Sequence, residues 1–233
     1  DTIRNIAITV LLFEHMQDKG NAKDLKEAFL RANFAGLLAR ESSHGPLLRR
    51  QGEEAFICAM FHDLGQLLAR YYFPEEVAEI YKLVEFKKLS VKAAATQVLG
   101  ISLEALSMRP LPAGDVRKPN TTDEALHVMA GFANEMCAML AATPPEQRGK
   151  ALARISQRFG SSLQMTDRQL QDNMEKAVED LAEVASILHV NLKQSMFARQ
   201  TAAFVGGAAT VDAALTPHVQ GVGGANDALA ETL

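Results

Sequence analysis

The chain has 233 residues, 48% hydrophobic and 22% charged, with 24 Lys and Arg against 28 Asp and Glu, a net charge of -4. That length supports one sizeable core or a core with an extension, and the slightly acidic balance, without any long Lys/Arg run, argues against nucleic acid as a partner. No apolar run approaches the ~20 residues that span a bilayer and no signal-peptide pattern opens the chain, so a cytoplasmic protein with no membrane partner is expected. Aromatics are only 6% and Trp is absent, which leaves Ala, Leu and Met to fill a core of closely packed helices. Cys58 and Cys137 both sit among apolar residues and read as small buried hydrophobes in a reducing compartment. The chain starts at Asp1 in helix-like sequence without Met, as expected of a fragment of a longer protein.

In chain order, residues 1–17 space Ile3, Ile6, Val10, Phe13 and Met16 three and four apart, an amphipathic helix. Residues 24–41 repeat the pattern, and Gly45-Pro46 breaks it. Residues 52–72 are the most apolar segment and predict one nearly central helix. Pro74 starts the next helix with Glu75 and Glu76 in its first turn, where they suit the dipole. Residues 90–99 make a short helix stopped by Gly100, and "RPLPAGDVRKPN" holds three prolines in an irregular loop. Residues 122–142 resume helix. "TPPE" predicts Thr143 as a cap with Pro144 first in the helix, and "TDRQ" predicts a capping box between Thr166 and Gln169. Leu170, Met174, Ala177, Leu181, Val184 and Leu188 then keep helical spacing, as an internal core face or a dimerisation surface. With no period-two alternation anywhere, the fold class is all-α.

Chemistry concentrates in "AMFHDLGQLLARYYFPEEV", where His62 and Asp63 interrupt an apolar run. Imidazole and carboxylate are ordinary ligands for a divalent metal such as Fe, Mn or Zn. A hydrolytic centre needs further ligands and an open position for water, and His15, His44, His127, His189 and His218 show no metal-ligand spacing. The structural alternative is a His-Asp pair that hydrogen-bonds neighbouring backbone. Arg109, Arg117 and Lys118 cluster in the proline-rich loop as the weaker candidates for a phosphate-bearing ligand; otherwise they are solvated loop.

The stretch "EEAFICAMFHDLGQLLARYYFPEEVAEI" resembles the signature segment of the HDOD domain, the HD-related output domain of bacterial signalling proteins. His62, Asp63, Leu64, Gly65, Phe73, Pro74, Glu75 and Glu76 carry the resemblance, and "VLGISLEAL" is similar to a later family segment. It covers about residues 1–140, with the first part of the typical domain missing. It implies an HD-like multi-helix domain over 1–142, followed by a C-terminal helical extension over 143–205 and an Ala/Gly-rich flexible tail over 206–233. HD-type phosphohydrolases hold metal with an upstream His, the His-Asp pair and a distant Asp. Here Asn33 stands near the place of the upstream His, Gln66 follows the His-Asp-x-Gly motif in place of Lys, and Gln97 and Leu103 replace a family Glu and His. The loop "MRPLPAGDVRKP" lacks the family's Trp and His pair, and there is no Gly-Tyr-Pro. These departures imply a non-catalytic regulatory module without a cofactor. Its expected partner is a protein or another domain of the same longer chain, with a homodimer as a further option. The alternative is a metal-dependent phosphohydrolase for nucleotides or cyclic dinucleotides, using His62 and Asp63.

Overall fold

The computed structural model describes residues 22–62, 69–101 and 111–206. The predicted first helix over 1–17 and the tail beyond Gly206 fall outside these residues, as do Asp63, Gly65, Gln66, Leu103 and Arg109. The described residues form eight complete α-helices and a short 3-10 turn, and hold no strand. The helices are α1 (Ala22–Glu41), α2 (Gly52–Met60), α3 (Pro74–Lys87), α4 (Val91–Leu99), α5 (Thr122–Ala142), α6 (Pro145–Leu163), α7 (Asp167–Ile187) and α8 (Met196–Gly206). The 3-10 turn, Leu192–Gln194, joins the last two.

Local signals set most boundaries. Ser90 caps α4 by accepting from the Ala93 amide, and Gly100, at φ 74°, ends it in the left-handed conformation. Thr121 caps α5 in the same way through Glu124. Thr166 and Gln169 close the expected capping box on α7. Two expectations need correction. The helix predicted over 52–72 is not continuous: α2 ends at Met60, Phe61 and His62 turn, the His62 amide donating back to Ala59 at 3.3 Å, and residues 69–72 are helical again. His62 therefore stands just past a helix C-terminus, not in mid-helix. Thr143 is not the cap of α6. It closes α5 by donating to Met139 O, and Pro144, lying before Pro145, is forced extended at ψ 146°. The helix can start only at Pro145, and its first turn has no side-chain cap.

One apolar core runs from Phe29 to Ala202 and joins α1, α2 and α5 to α6, α7 and α8. Gly36 of α1 permits the closest crossing, since a β-carbon there would lie 2.8 Å from the Phe56 ring and 3.0 Å from its carbonyl oxygen. Residues 143–205 add two edge-to-face aromatic contacts, Phe197 on Phe34 and Phe159 on Phe132, with centroids 5.7 and 5.4 Å apart. The stripe from Leu170 to Leu188 is buried in this core, apart from the half-buried Val184. By length and composition α5 is long and apolar enough to cross a bilayer, but 61% of that stretch is buried inside the fold. α3 and α4 form a separate hairpin around Ile80, Ala94 and Ala95.

Polar contacts bind the extension to the domain. The Glu27 carboxylate of α1 accepts from the Met196 and Phe197 amides and the Ser195 hydroxyl, at 2.9, 3.1 and 3.1 Å, and so caps α8 from across the fold. Arg40 reaches Asp180 at 2.6 Å and Glu41 at 2.9 Å, while Lys176 bonds the other Glu41 oxygen. Burial alone would raise the Glu41 carboxyl, but the hydrogen bonds and charges of Lys176 and Arg40 outweigh it and hold it below the usual range. At Asp180 burial prevails over Arg40 and pushes the carboxyl up. Arg148 is buried and donates only to carbonyls: Thr143 and Leu140 at the C-terminus of α5, and Gln200 of α8, at 3.0, 3.2 and 3.2 Å.

Candidate functional site

The site is built around the turn that carries His62. Asn134 of α5 donates to Ala59 O at 2.8 Å and to Ala130 O at 2.9 Å, which satisfies a terminal carbonyl of α2 and pins its end to α5. The next residue, Glu135, is half-buried. Burial pushes its carboxyl up, and the charges of Arg158 and His62 pull it part of the way back. His62 is thus an electrostatic neighbour of Glu135.

Arg158 of α6 fills the other side. Its Nη1 meets Glu135 at 2.8 Å and its Nη2 donates to Pro112 O at 2.5 Å. The guanidinium lies 5.3 Å from the Phe159 ring centroid, and Nε is buried with no hydrogen-bond partner among the described residues. The Arg158 carbonyl accepts from Val116, whose own carbonyl accepts from Ser161. Arg158 therefore fastens the proline-rich loop to α6 and presents a positive charge to Glu135, a carboxylate within electrostatic reach of His62.

Asn33 is fully buried, and its amide donates to Phe29 O one turn back, at 3.1 Å. Gln97 is exposed on α4, away from this centre. Among the described residues no three His, Cys, Asp or Glu side chains group in a way that could hold a metal. Of the ligand candidates, Arg117 and Lys118 are both exposed, and Lys118 borders a cleft that His44 also lines. Cys137 is buried and Cys58 half-buried, neither in a disulfide; burial, with Glu54 and Asp123 nearby, raises the Cys58 thiol.

Glu135 and Arg158 were missed in the sequence. Their signal was an Asn-Glu dyad inside the apolar run "GFANEMCAML", where a carboxylate needs a partner. Nothing local in α6 reveals that Arg158 is that partner.

The family model described as "HDOD domain" matches residues 1–111. No curated protein and no solved structure matches the chain. The match includes His62 and stops just before Pro112, so Glu135 and Arg158 lie beyond it. Over residues 1–111 the chain therefore carries an HDOD domain.

Proposed function

We propose that this protein is a non-catalytic regulatory module that acts in the cytoplasm through contacts with a partner protein or another domain of its own longer chain. The observation that carries this reading is the Arg158–Glu135 ion pair beside His62. A catalytic metal would need anionic ligands there and an open position for water. Glu135 is instead held by a guanidinium, which also repels a second cation. Phe86, Tyr72, Phe73 and Tyr81, on or leading into the α3–α4 hairpin, are 77, 55, 49 and 47% exposed, and provide an aromatic surface suited to protein contact.

The competing reading, a metal-dependent phosphohydrolase, draws support from the carboxylate next to His62. Turnover of bis-p-nitrophenyl phosphate and a cyclic dinucleotide with added Mn, Fe or Zn separates the two. The regulatory reading predicts no hydrolysis above a His62→Ala control. Metal-dependent turnover abolished by that substitution would establish the enzyme instead.

A further inference from the structure

A cleft of about 420 Å³ lies between the loop at residues 42–48, the end of the proline-rich loop and the turn from α6 to α7. This is the size range of pockets that enclose small organic ligands. Its walls are largely aliphatic: Pro46, Leu47, Leu48, Met129, Leu163 and Met165. The polar side chains are those of Ser42, His44, Lys118, Ser162, Gln164 and Gln169. His44 Nε2 is held by Asn173 Oδ1 at 3.4 Å, and Asn173 is itself buried and bonded to Ser42 and Met165. The Gln169 side-chain oxygen is committed to the capping box. Lys118 makes no ion pair among the described residues, and its charge is available at the rim.

This combination selects a chemistry. An aliphatic wall favours a flexible apolar body, and Leu and Met side chains adapt to it. One unpaired ammonium favours one anionic head. A nucleotide is a poor fit, because no Phe, Tyr, Trp or Arg lines the cleft to stack a base, the one imidazole is held by Asn173, and one lysine does not balance several phosphate charges. We propose that the cleft binds a small aliphatic carboxylic acid, its carboxylate on Lys118 and its chain among Leu47, Met129 and Leu163. The cleft takes one wall from within the HDOD-matched span and the other from the α6–α7 region beyond it. A bound acid would therefore tie the extension to the domain.

The test uses the full chain with anilinonaphthalene sulfonate as reporter and decanoate as competitor. Dye binding should be saturable and displaced by decanoate but not by a cyclic dinucleotide. Lys118→Glu, at an exposed position, should weaken decanoate binding about tenfold or more. Leu47→Trp, which crowds the mouth from a partly exposed position, should weaken it with circular dichroism unchanged. Decanoate should also raise the melting temperature of the parent protein more than that of Lys118→Glu. Decanoate affinity unchanged in both variants would overturn the proposal by placing the acid elsewhere, and displacement by the dinucleotide alone would overturn the ligand class.

Discussion

Substituting Glu27 by Ala removes one side chain of α1 and takes the acceptor from two amides at the start of a helix almost 170 residues away in sequence, leaving only the Ser195 hydroxyl, which accepts from the Ala198 amide, as a side-chain cap. The Glu27 carboxylate accepts the Met196 and Phe197 amides and the Ser195 hydroxyl. Loss of a helix cap costs about 1 kcal/mol. Loss of a negative charge from a helix N-terminus costs about 0.3–1 kcal/mol more. Glu27 is half-exposed, so water replaces part of what is lost, and about 1.5–2 kcal/mol is the expected total. In a domain of this size that lowers the melting temperature by roughly 3–8 °C. Glu27→Gln keeps an acceptor oxygen and loses the charge, so it should fall between the two. Amide exchange should accelerate most at Met196–Gly206. Unchanged melting and unchanged exchange there in Glu27→Ala would refute the claim that this contact fastens the extension to the domain.

Gly36→Ala should destabilise by about 1–3 kcal/mol, because the new methyl meets the Phe56 carbonyl as well as its ring; chemical denaturation measures it. Arg148→Met should cost about 2–4 kcal/mol by the same assay, since it leaves the α5 C-terminal carbonyls without their buried donor. Glu41 adds stability that is present above the ordinary carboxylate range and lost as pH falls through its depressed value. Melting curves between neutral pH and about pH 3 should therefore decline less steeply for Glu41→Gln than for the parent. Asp180, shifted upward, acts in the opposite sense, so Asp180→Asn should steepen the decline.

Helix content was legible wherever the signal was local. Ser90, Gly100, Thr121 and the Thr166–Gln169 box stop and start helices through contacts within four residues. The Leu170–Leu188 stripe also declared its buried face. The errors arose where neighbours compete: consecutive prolines moved the start of α6 by one residue, and the end of α2 is set by Asn134 on another helix. The site was legible only in part. His62 stands out because it is polar in an apolar run, but its chemistry depends on Glu135 and Arg158, 73 and 96 positions further on. Lys118 could be suspected from its loop, whereas the cleft behind it depends on how α6 and α7 turn.

The central claim is that a guanidinium, and not a metal ion, is the cation beside His62. Metal analysis of the protein purified from Mn-, Fe- and Zn-supplemented medium, alongside His62→Ala, tests it most directly. The account predicts no stoichiometric metal in either protein. Near-equimolar metal in the parent that is lost in His62→Ala would contradict it.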